Sequence, residues 1–149
     1  MKRIWYEPAH RNDAVFRTGQ ACWISTLPDR PFDEAFAELP ISVNTYIGLL
    51  HFEIIDQLEH LPTQFGPLGS YEEAILLPAG LAEAAQILRT VATQLSGQTR
   101  DAKVATQFEP EALEYWIAIE VPTLRTALLD LAEFIEAGSR RGYAVQLWL

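Results

Sequence analysis

Glu53, Asp56 and His60 are the residues whose types and spacing come nearest to doing chemistry. They stand at i, i+3 and i+7 in a stretch that begins at Asn44. There the apolar positions Ile47, Leu50, Ile54, Leu58 and Leu61 recur at helical spacing. On one helix the three polar residues share a face opposite Ile47, Ile54 and Leu58. Two carboxylates and an imidazole so arranged could ligate a divalent cation or exchange protons as an acid–base pair. The solvated face of an amphipathic helix carries the same residue types, however, and helical metal motifs repeat their ligands more tightly, as in an i, i+4 histidine pair. The expected role of the trio is that of a solvated face.

The remaining reactive side chains are scattered. His51 lies one turn before Ile55, on the border of the apolar stripe, where a hydrogen-bonded boundary histidine is the common case. His10 follows Pro8 in an expected loop. Three separated histidines and the single cysteine do not make a metal site, and no cofactor is expected. Cys22 sits in Gln20-Ala21-Cys22-Trp23-Ile24, the context of a strand packing into a core rather than of a nucleophile. Ser25, Ser42, Ser70, Ser96 and Ser139 include no Gly-x-Ser-x-Gly elbow, and neither glycine-rich phosphate fingerprint is present. Arg140 and Arg141 close the last helical pattern, where they oppose the carbonyl end of its dipole. No residue is assigned a catalytic role.

Charge is the stronger signal. No Lys or Arg occurs between Arg30 and Arg89, while the same stretch holds Asp33, Glu34, Glu38, Glu53, Asp56, Glu59, Glu72, Glu73 and Glu83. That block accounts for the whole formal net charge of -9. An anionic field of this kind attracts cationic partners and repels nucleic acid. RNA-binding sheets need basic surfaces with exposed aromatics, and this chain has two lysines. Trp116 and Trp148, in short apolar strands, are expected in the core. No apolar run approaches membrane-spanning length, and Met1 to Pro8 lacks the apolar stretch of a signal peptide. A lone cysteine fits a reducing compartment, so a cytoplasmic location is expected.

The elements that must position these residues can be read in order. A length of 149 residues with 49% hydrophobic composition fits a single domain, with the 63–70 loop as its sub-boundary. Arg3 to Glu7 reads as a short strand. Ala14 to Thr26 reads as an N-terminal hairpin with Gly19 at a bulge or turn. Asp33 to Leu39 reads as a short helix ended by Pro40, and Asn44 to Leu61 as a long one ended by Pro62.

The second half carries a pattern written twice. Glu72 to Leu77 is a strand candidate ending at Pro78, followed by a helical stripe from Leu81 to Leu95, then Gly97 and a strand from Lys103 to Phe108. Tyr115 to Val121, Pro122, a stripe from Leu124 to Ile135, Gly138 as C-cap, and a strand from Tyr143 to Leu149 repeat it. Joined by Glu109 to Leu113, the order becomes βαββαβ, which resembles the ferredoxin-like architecture. The expected class is therefore α+β: a ferredoxin-like C-terminal half of two pseudo-repeated βαβ units, carrying the N-terminal hairpin and the two helices.

In that topology Tyr143 to Leu149 is an edge strand, yet it is apolar on both parities, an aggregation hazard unless covered. The N-terminal strands, Arg3 to Glu7 among them, or the same strand of a second subunit in a homodimer, would cover it. The functional expectation is a non-catalytic acidic binding protein, of the inhibitor or immunity type. It docks on a basic protein through Asp33, Glu34, Glu38, Glu53, Asp56, Glu59, His60, Glu72 and Glu73. The alternative is a small-molecule site or small enzyme, with His51, Asp56 and His60 beside Tyr46 and Phe52.

Overall fold

The computed structural model describes residues 1–6, 22–31, 33–68 and 74–148. Its strands are β1 (Lys2–Trp5), β2 (Cys22–Thr26), β3 (Ala35–Pro40), β4 (Thr63–Gln64), β5 (Ile75–Leu76), β6 (Thr99–Gln107), β7 (Leu113–Glu120) and β8 (Ala144–Trp148). Its helices are α1 (Val43–His51), α2 (Ile54–Glu59), α3 (Leu81–Gln94) and α4 (Val121–Ser139). The class is mixed α+β. Among the described residues no helix is long and apolar enough to cross a membrane.

The helices of the second half form where their apolar stripes and prolines place them. Pro78 opens a single 3₁₀ turn that leads into α3, and Pro122 occupies the first turn of α4, where its missing N–H costs nothing. Leu81, Ala84, Ala85, Leu88, Val91 and Ala92 of α3 are buried, as are Leu124, Leu128, Leu131, Ala132 and Ile135 of α4; the two helices pack on each other. Phe134 is partly buried against the same core. A bidentate Arg89–Glu136 pair and a 3.0 Å bond from Arg125 Nε to the Ala92 carbonyl bridge the two helices at their rim. Gly138 is not a C-cap. It lies inside α4, where an added Cβ would come within 3.2 Å of Ser25 Oγ, and the left-handed turn after the helix falls to Gly142.

The strands form two sheets, ordered β1-β7-β6 and β3-β2-β8-β5-β4. The antiparallel pairs β5–β8 and β6–β7 are those of the split βαββαβ order. The single four-stranded sheet is not formed among the described residues, because strands from the first half take the positions that would join the two pairs. β1 lies parallel on the free edge of β7, from Lys2↔Leu113 to Trp5↔Trp116, and β4 lies antiparallel on β5. β8 is therefore not an edge. Its second neighbour is β2, from Cys22↔Trp148 to Thr26↔Ala144, rather than Arg3 to Glu7 or a second subunit.

Three expectations for the first half are corrected. Asp33 to Leu39 is not a helix, since Ala35–Pro40 is β3, paired with β2. Two turns of isolated helix are marginal in water, whereas the open edge of β2 offers a full ladder. β2 and β3 form a hairpin; the expected one over Ala14 to Thr26, with its turn at Gly19, lies largely outside the described residues. The long helix from Asn44 breaks at Phe52–Glu53 into α1 and α2, with Glu53 left-handed at φ 58°. The cause is packing. Leu49 and Leu58 are both wholly buried, and on one continuous helix they would stand about two and a half turns apart, on opposite faces. Leu50, expected in the apolar stripe, is exposed.

Ser42 caps α1 by accepting from the Thr45 N–H at 3.2 Å. Two residues on, Asn44 clamps the β7–α4 junction, accepting from Glu120 N at 2.7 Å and donating to Glu120 O at 3.1 Å. This brings Gly48 against α4, where a Cβ would lie 2.6 Å from both methyl carbons of Leu124. Gly→Ala inside a helix ordinarily gains about 1 kcal/mol. Here overpacking costs about 1–3 kcal/mol, so Gly48→Ala is expected to lower the denaturant midpoint. A raised midpoint would show that Leu124 yields freely.

Candidate functional site

Asp33 and Glu34 sit in the turn that enters β3, and both are exposed. The buried Thr26 hydroxyl fixes that turn, lying 2.6 Å from the Pro31 carbonyl and 2.9 Å from that of Glu34. Glu38 follows on β3, an exposed edge strand, opposite Ile24. The Phe36 ring, stacked 4.4 Å from Tyr143, holds this edge against the loop before β8.

The second acidic group surrounds α2. Glu53 is its exposed, left-handed N-cap; Asp56 lies in its first turn, where a carboxylate complements the helix dipole; Glu59 is half-buried at its end, and His60 is the exposed C-cap. Glu53, Asp56 and His60 thus belong to α2 and its two caps rather than to one continuous helix from Asn44. Among the described residues no three His, Cys, Asp or Glu side chains come together in a way that could hold a metal ion. Glu72 and Glu73 lie outside the described residues, as does His10.

His51, Asp56 and His60 are exposed. His51 stands edge-on to Phe52 at 5.0 Å, while the Arg100 guanidinium lies 5.4 Å from the Phe52 ring centroid. Cys22 is partly buried, and burial together with the Glu38 carboxylate pushes its thiol pKa up. That shift keeps the sulfur protonated, the opposite of what a nucleophile needs.

Among the described residues the ion pairs are Arg3–Glu114 and Arg89–Glu136, and neither draws on the acidic block. The carboxylates of Asp33, Glu34, Glu38, Glu53 and Asp56 are thus exposed, and no cationic side chain among the described residues pairs with them.

One cluster escaped the sequence reading. Trp116, expected in the core, is only half-buried and stands beside the exposed Trp5 on the β1–β7 pair. The strand alternation held the signal, because Glu114, Trp116, Ala118 and Glu120 share the parity opposite to the buried Ile117 and Ile119. No protein-family model, no curated protein and no solved structure matches this chain.

Proposed function

We propose that the chain is a non-catalytic acidic binding protein, of the inhibitor or immunity type, that acts in the cytoplasm and docks on a basic protein. The docking residues are Asp33, Glu34, Glu38, Glu53, Asp56, Glu59 and His60, joined by Glu72 and Glu73. The observation that carries this reading is the set of exposed block carboxylates that no described cation pairs. Such a surface accelerates encounter with an oppositely charged partner and discriminates against others. The lone Cys22 supports a reducing compartment. The βαββαβ succession from β5 to β8 supports a ferredoxin-like half opened between β5 and β7, an architecture that hosts many functions and dictates none.

Affinity capture from the native host at low and high ionic strength tests the proposal. A basic protein is expected to be retained at low salt and released at high salt. Its association rate should fall by roughly tenfold or more when Asp33, Glu34 and Glu38 are changed together to Lys. Capture indifferent to salt, or mapped to Arg140 and Arg141, would overturn it.

A further inference from the structure

Exposed carboxylates speed encounter, but each does little to hold a partner once bound. Tight binding comes from aromatic and arginine anchors. The outer face of the β1-β7-β6 sheet has the parts of one. Trp5 and Trp116 are register neighbours on β1 and β7, with ring centroids 5.9 Å apart and planes inclined at 44°. Glu114, on the same face, accepts from the Trp116 indole N–H at 2.9 Å, which fixes its carboxylate beside the rings. The Arg3 guanidinium lies 4.3 Å from the Trp116 ring centroid, and its Nε is 3.5 Å from the Glu114 carboxylate.

An aromatic face and a fixed carboxylate together make a cation site, and a planar guanidinium can use both at once where a lysine ammonium cannot. Arg3 shows that the site takes this group. Its side chain is 55% exposed and belongs to a four-residue edge strand, so an arginine arriving from solvent can reach the same ring and carboxylate. On the same face Asp101 adds a second carboxylate opposite Ala118, and Lys103 offsets it opposite Trp116.

We infer that Trp5, Trp116 and Glu114 form a docking site for an arginine side chain of a basic protein partner, with Arg3 as the intramolecular occupant that it displaces. This inference rests on the basic-partner reading above and supplies the anchor that the acidic block lacks.

Titration with hexa-arginine and hexa-lysine peptides, followed through the Trp116 indole N–H resonance, tests it. Hexa-arginine is expected to move that resonance, and to bind roughly fivefold to tenfold more tightly than hexa-lysine. Arg3→Ala should strengthen the arginine response, while Glu114→Gln should abolish the preference, with the Ile119 and Leu131 methyl resonances reporting that each variant stays folded. Equal, salt-labile binding of the two peptides without movement of the Trp116 resonance would overturn the arginine site and leave the acidic docking surface standing. Binding of neither peptide would overturn both.

Discussion

Ending the chain at Gln146 is expected to give protein that aggregates, or that unfolds on heating without a cooperative transition. β8 is the centre of the five-stranded sheet, and its last residues close ladders on both sides. The Leu147 N–H donates to the Ala74 carbonyl at 3.1 Å, while Leu147 and Trp148 stand opposite Trp23 and Cys22 of β2. Removing the wholly buried Leu147 side chain forfeits about 1.5–3 kcal/mol of burial. The backbone groups it satisfied are then left unpaired beside Trp23, at about 1–3 kcal/mol for each buried one. Those losses are comparable to the whole stability of a small domain, about 5–15 kcal/mol, and they uncover an apolar edge. Light scattering and calorimetry on the truncated chain decide the matter. A soluble product that melts cooperatively would show that β2, β3 and β5 hold together without the end of β8.

Leu131→Ala is expected to destabilise the protein by about 2–5 kcal/mol. Leu131 is 1% exposed on the face of α4 that packs against the core, two helix turns from Leu124 and one from Leu128 and Ile135. The surroundings have little room to relax: Gly48 of α1 already closes on Leu124, and α3 lies along the same stripe. The cavity term should therefore add to the lost burial. Denaturant unfolding measures it; a loss below about 1 kcal/mol, the range of surface substitutions, would place this face of α4 outside the core.

What could be read from the sequence follows how local the determining interactions are. α3 and α4 were legible because a proline and an apolar stripe lie within one segment each, although the glycine read as closing α4, Gly138, lies inside it. β3 was not, since Ala35, Ala37, Glu38 and Leu39 are good helix formers, and only the edge of β2 makes them a strand. The break between α1 and α2 was hidden for a related reason. Periodicity alone leaves Leu49 on the solvent side, and only the tertiary demand to bury both it and Leu58 ends the helix. The site divides the same way. Exposure of Asp33, Glu34 and Glu38 could be inferred from their charge, and Glu53, Asp56 and His60 do belong to a helical segment, but its start at Glu53 could not be read from periodicity. The Trp5–Trp116 neighbourhood needed a parallel pairing of β1 with β7 that no local pattern announces.

The seating of β8 between β2 and β5 has a further consequence, in time rather than in energy. Cys22 pairs with Pro40 at once but gains its second partner only when Trp148 exists, and Lys2 waits for Leu113. On a ribosome the segment carrying β2 and β3 therefore emerges long before the strand that completes its sheet. Closing such long loops is slow, and exposed apolar surface and unpaired strand edges meanwhile invite aggregation. The β2–β3 and β6–β7 hairpins and the α3–α4 pair draw on nearer residues and can assemble first, so the pairings of β2 with β8 and of β1 with β7 are the last to close.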